Sequence, residues 1–211
     1  MGQKYASMHV YGGGQDKNLL SLKDFCNNNK TANVMLEEIL KKIEDPEKRL
    51  LVEKFSSPSN ILIVQSKDVL SIYDGDLSFE MVEERAKQLS KKINNPVIYT
   101  SNFDDDIFIF GIYQSGEFIT GRKMGDGLAD YDISPEDLEI EKFYHGLSLN
   151  KAINTRMVLE NSEEVEALED ELERILEAPL KFSIEDVRED YEKFTELFTE
   201  NHIQVFKRHD R

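Results

Sequence analysis

The chain has 211 residues, a formal net charge of −16, one cysteine and no tryptophan. Its charged share of 32% is above the average of about 25% for globular proteins, yet twelve Phe and eight Tyr are more aromatic residues than a disordered chain carries. The acid excess argues against direct binding to nucleic acid or an anionic membrane, since both need Lys or Arg against phosphate.

A lone Cys26 rules out an intramolecular disulfide or a Cys-based zinc site. No apolar run resembles a signal peptide or approaches the roughly 20 residues of a membrane span, so the expected home is the reducing cytoplasm. Met1-Gly2 opens like a myristoylation signal, but the sixth residue is Ala6 and Ser7 comes one place late. The charge is uneven. Residues 1–60 carry a net +1 and 61–125 a net −3, whereas 126–211, with 24 acidic and 10 basic side chains, carry −14.

In chain order, residues 6–11 read as a strand closed by Gly12-Gly13-Gly14. Asn27-Asn28-Asn29 marks a loop, after which Leu36, Ile39, Leu40 and Ile43 fall at helical spacing. Asp45-Pro46 opens a second short helix, with Leu51 and Phe55 inward. Ser57-Pro58-Ser59-Asn60 breaks the pattern. Residues 61–64 and 69–73 then read as a hairpin across Ser66-Lys67-Asp68. Ser78 starts a helix whose Val82, Ala86, Leu89 and Ile93 form one apolar stripe, stopped by Asn94-Asn95-Pro96.

Residues 97–99, 107–113 and 117–120 are the next strands. The run from Ile107 to Ile112 is apolar on both faces, the pattern of a strand covered on both sides. Phe108, Phe110 and Ile112 are expected on one face, with Ile107, Ile109 and Tyr113 on the other. Past Gly125 the pattern turns helical. Ser134-Pro135-Glu136-Asp137 approximates a capping box ahead of Ile140, Phe143, Tyr144 and Leu147. A short helix is expected near 151–159. Ser162 opens another, with Val165, Leu168, Leu172, Ile175 and Leu176 in one stripe up to Pro179. Ser183 opens a last helix, and residues 203–206 suit an edge strand.

The fold class is therefore α+β, with a mainly antiparallel sheet, a packed helix and a C-terminal group of acidic amphipathic helices. Residues 1–211 read as one domain, sheet-rich over 1–124 and acidic and helical over 125–211.

The chemistry is less legible. Asp104-Asp105-Asp106, with Asp74, Asp76, Asp126, Asp130 and Asp132 in other loops, offers oxygen ligands for a divalent cation. However, Ile107 stands where an EF-hand loop needs Gly, and Asp before a strand also serves the backbone. Gly121-Arg122-Lys123-Met124-Gly125-Asp126-Gly127 lacks the end of a phosphate loop. Its basic pair suits a small anion, or the segment is a flexible exit from a hairpin. His9, His145, His202 and His209 show no metal spacing. His9 falls on the face opposite Met8 and Val10, lining a cleft or making structural hydrogen bonds. No nucleophile elbow is present, and Cys26 beside Phe25 reads as a buried thiol.

Two functional readings follow. The first is a non-enzymatic, inhibitor- or immunity-type protein that binds a basic protein partner without a cofactor. Its contacts would be Glu163, Glu166, Glu169, Asp170, Glu173 and Glu189, set on solvent faces with Glu177, Glu185, Glu192 and Glu196. The alternative is a small divalent-metal-dependent hydrolase or ligand-binding protein that uses Asp104, Asp105 and Asp106.

Overall fold

A computed structural model of the chain describes residues 4–12, 21–22, 24–25, 46, 60–75, 77–149, 153–182 and 202–207. Cys26, the helices expected over 36–43 and 47–55, and the helix expected from Ser183 lie outside the described residues.

Among the described residues seven strands form one sheet: β1 (Lys4–Tyr11), β2 (Asn60–Ser66), β3 (Val69–Asp74), β4 (Val97–Phe103), β5 (Ile107–Gln114), β6 (Glu117–Met124) and β7 (His202–Lys207). Their order is β6-β5-β4-β1-β3-β2-β7, and every neighbouring pair is antiparallel. The tight hairpins β2–β3, β4–β5 and β5–β6 arise from the short polar links in the sequence. The C-terminal β7 returns to extend the edge beside β2, as the apolar alternation of 203–206 suggested.

Helices cover both faces. On the first, α1 (Phe79–Ser90) crosses β4, β5 and β1. Its Val82, Ala86 and Leu89 pack with Met8, Val10 and Ile72 of the sheet. On the second face lie α2 (Ile140–Gly146), α3 (Ile153–Asn161) and α4 (Val165–Leu176). Phe143 of α2 and Leu168, Leu172 and Leu176 of α4 cover Ile98, Phe108 and Phe110. The structure is therefore a helix–sheet–helix sandwich of the α+β class. β5 alternates as its sequence demands, Ile107 and Ile109 facing α1 while Phe108, Phe110 and Ile112 face the C-terminal helices.

Two local readings are overturned. The Gly121–Gly127 segment is not a flexible exit: β6 continues through Met124, and a 3-10 turn over Asp126–Tyr131 follows. Gly125 is required there, because its φ is 123° and a Cβ would collide with the Asp106 carbonyl oxygen. Residues 134–137 do not start a helix either. Lys123 N–H donates to the Glu136 carbonyl at 2.9 Å and Glu136 N–H to the Lys123 carbonyl at 3.2 Å. An edge strand leaves backbone groups that need partners, and this pairing outweighs the local capping pattern. Helix α2 begins later, after Glu139, whose N–H is held by Thr120 Oγ1.

The middle of the sheet contains a polar chain. His9 is fully buried, with Nε2 hydrogen-bonded to Ser7 Oγ and Nδ1 to Ser71 Oγ, both at 2.9 Å. Ser7 Oγ also meets Thr100 Oγ1 at 2.9 Å. The neutral ring has one donor and one acceptor, and rotatable hydroxyls suit both. His9 is thus a structural histidine rather than the lining of a cleft, and burial lowers its pKa to about 3.

Two outcomes are expected. Phe110 is fully buried between Phe108 and Phe143, so Phe110→Ala should cost about 3–5 kcal/mol in chemical denaturation. For His9, the unfolded chain takes up a proton below about pH 6.5 that the folded chain refuses until about pH 3. Stability should therefore fall as pH drops through that window, by up to about 1.4 kcal/mol per pH unit from this ring. Urea titrations from pH 7 to 4 should show a shallower fall for His9→Gln than for the wild type.

Candidate functional site: the pocket over Glu169

The apolar stripe of α4 settles on the sheet through Leu168, Leu172 and Leu176. Glu169 lies four residues after Val165 and three before Leu172, so it falls inside that stripe, and the helix carries its carboxylate down onto β1 and β4. Contrary to the expected solvent face, it is only 2% exposed. A buried carboxylate must be hydrogen-bonded. Tyr5 Oη donates to Glu169 Oε1 at 2.5 Å, and Asn102 Nδ2 donates to the same oxygen at 2.8 Å. Tyr5 and Asn102 are direct cross-strand partners, so one register places both donors. Burial, then the Glu169 charge, push the Tyr5 phenol pKa far up and keep it a donor.

A cavity of about 380 Å³ opens above this carboxylate, lined by Asn102, Asp105, Val165, Glu166, Glu169 and Lys181. Lys181 Nζ stands 2.7 Å from Asp170, 3.8 Å from Glu169 and 4.0 Å from Glu166. Partial burial works to lower its pKa, but the hydrogen bond to Asp170 and the surrounding carboxylates hold it above the usual lysine value. Glu173, half-buried rather than free in solvent, accepts the N–H groups of Leu180 at 2.6 Å and Lys181 at 3.2 Å. It therefore fixes the chain that delivers the ammonium. Tyr73 secures the same segment by donating to the Pro179 carbonyl and meeting the Phe182 ring edge-on at 5.0 Å.

The remaining sequence candidates are placed as follows. Glu163, Glu166 and Asp170 are exposed, and Glu177 pairs with Lys67 at 2.7 Å. Glu185, Glu189, Glu192 and Glu196 lie outside the described residues. Asp104 and Asp105 have φ of 57° and 63°, as the central residues of a primed hairpin turn do, and Asp106 N–H closes the turn onto Phe103. Asp104 pairs with Lys4 at 2.9 Å, and only Asp105 reaches the pocket. Among the described residues no three His, Cys, Asp or Glu are grouped to hold a metal ion. Arg122 donates to the Leu159 carbonyl, and Lys123 pairs with Glu83 and Glu136, so neither presents an open anion site.

Sequence reasoning missed Tyr5, Asn102 and Lys181. The alternation of β1 and β4 places the first two on one face, but nothing local links them to a lysine 79 residues beyond Asn102. The chain matches no family model, no curated protein and no solved structure. No helix among the described residues is long and apolar enough to cross a membrane.

Removing the carboxylate should expose its structural role. Glu169→Ala orphans two buried donors, each worth about 1–3 kcal/mol, so a loss of about 3 kcal/mol is expected in urea denaturation. Glu169→Gln keeps one acceptor oxygen and should lose less. Glu166→Gln on the exposed rim should stay within about 0.5 kcal/mol of the wild type.

Proposed function

We propose that this protein binds a basic protein partner through the rim of the Glu169 pocket, as an inhibitor- or immunity-type interaction protein rather than a catalyst. The observation that carries this reading is the charge count at the pocket. Asp105, Glu166, Glu169 and Asp170 converge on it, and Lys181 is the one cation among its lining residues. Glu163 and Glu166 face solvent and are available to a Lys or Arg from outside, with the exposed Asp170, paired to Lys181, beside them. Glu169 and Glu173 have the different task of building the pocket floor and holding Lys181. The contact set is therefore narrower than the full acidic face of the helix.

A rim of exposed carboxylates reaches about one Debye length, roughly 8 Å at physiological salt. Such a field raises the rate of encounter with a basic surface more than it slows dissociation. The reading is tested by capture from the native cell with the wild type and with a Glu163→Lys, Glu166→Lys, Asp170→Asn variant, each at low and high salt. The wild type should retain a basic protein at low salt, lose it at high salt, and outperform the variant. The three substitutions lie on exposed positions and should each cost under about 0.5 kcal/mol, so a folded variant is expected by circular dichroism. Equal recovery of every bound protein in all four conditions would leave the carboxylates as a charged surface and nothing more.

A further inference from the structure

The α1 face of the sheet holds a second cavity, of about 260 Å³, between the start of α1, β5, β6 and the 3-10 turn. One wall is aromatic. Phe79 and Tyr131 meet edge to face at 5.1 Å, and Phe103 lies 4.6 Å from Phe79 and 5.6 Å from Tyr131. Tyr131 is 43% exposed, a large ring left partly in water at the cavity lip. Ile109 and Ile133 continue the apolar lining.

The opposite wall is polar and short of positive charge. Glu83 Oε1 accepts from Tyr113 Oη and its Oε2 from Lys123 Nζ, both at 2.9 Å. Lys123 also stands 3.6 Å from Glu136, and Glu80 lies on the cavity wall. Lys123 therefore meets two carboxylates, and Glu80 adds a third carboxylate to the same cavity. Each oxygen of Glu83 retains a further lone pair for a second donor.

A separate observation concerns Tyr99 behind this wall. Its ring is wholly buried and fills the space that Gly111 leaves, where a Cβ would lie 2.6 Å from the hydroxyl. The hydroxyl has no hydrogen-bond partner among the described residues. Burial first, and then the nearby Glu83 carboxylate, push its phenol pKa far up and keep it protonated. The polar end of the cavity thus carries surplus negative charge, beside rings with an exposed face.

We propose that this cavity binds a small organic amine with an apolar or aromatic body. The ammonium would sit at Glu83 and Glu80, and the body would lie against Phe79 and Tyr131. An ammonium supplies the donors that the carboxylates can still accept, and a cation beside aromatic rings gains from their quadrupole. An anionic ligand would meet the surplus carboxylates, and a neutral one would leave that charge unanswered. The site shares no residue with the Glu169 pocket, so its failure would leave the basic-partner reading untouched.

The experiment titrates the full chain with 2-phenylethylamine, 2-phenylethanol and phenylacetate, three probes that differ only in the polar end, and follows amide chemical shifts. The amine should give saturable shifts at the start of α1 and around Lys123 and Tyr131, with a dissociation constant in the range of about 0.1–5 mM. The alcohol should bind at least about tenfold more weakly, a difference of about 1.4 kcal/mol, and the acid should not saturate. Glu83→Gln should weaken the amine by about tenfold and Tyr131→Ala by about fivefold, each variant checked for native circular dichroism. The proposal is overturned if the amine fails to saturate by about 10 mM, if all three probes bind alike, or if Tyr131→Ala binds as the wild type does.

Discussion

β1 has a strand hydrogen-bonded on either side and helices over both faces, so Tyr5 and every side chain from Ser7 to Val10 are shut off from bulk water. A strand in that position would normally be apolar throughout. This one places Tyr5, Ser7 and His9 on a single face, and each must find a partner inside the protein. Ser7 and His9 find Thr100 on β4 and Ser71 on β3, across the two strand pairings. Tyr5 finds Glu169 on α4. The polar face of one strand thereby fixes its neighbours' register and decides where the C-terminal helix rests. Slipping β1 by one residue would swap Met8 for His9 against α1 and orphan the whole chain of hydrogen bonds.

The same demand explains why the Glu169 pocket exists. A helix packed by leucines alone could slide along the sheet, whereas a carboxylate that must meet Tyr5 and Asn102 permits one placement. Once Glu169 is seated, the following turn brings Lys181 back over it, with Glu173 accepting two backbone N–H groups to hold that turn. The exposed carboxylates on the outer side of α4 then border a cavity instead of a flat surface. The opposite face uses the same device in another form: Glu83 of α1 joins Tyr113 on β5 to Lys123 on β6 and ties the helix to the sheet's edge. In both cases a polar group built into a helix–sheet contact leaves space and charge beside it.

Much of the sheet was legible because its strands carry their own instructions. The alternation in 107–113 named both faces of β5, and Ser66-Lys67-Asp68 marked a hairpin whose strands pair from Ile61↔Asp74 to Ser66↔Val69. The misreadings have different causes. The 134–137 segment has a good capping pattern, yet β6 had free backbone groups at its edge and took Glu136 as a partner. The Gly121–Gly127 segment looked loose by composition, but Gly121 and Gly125 are the places where backbone approaches backbone. Glu169 was grouped with the solvent-facing acids because of its charge, although its position between Val165 and Leu172 put it within the stripe.

What the sequence determined by itself was local and periodic: the α+β class, the described strands, the helices over Phe79–Ser90 and Val165–Leu176, the two faces of β5, and the concentration of acid in the last two-fifths of the chain. These follow from the order of apolar and polar residues over one or two turns, which needs no knowledge of distant partners. Only the tertiary structure decided which charges are available. Glu166 and Glu169 are three positions apart on one helix, and they differ because Tyr5 and Asn102, from strands more than 60 residues away, wait beneath one and not the other. Burial and pairing of a charge are properties of the whole packing, and a carboxylate acts at a surface or within a core according to the partners that packing brings to it.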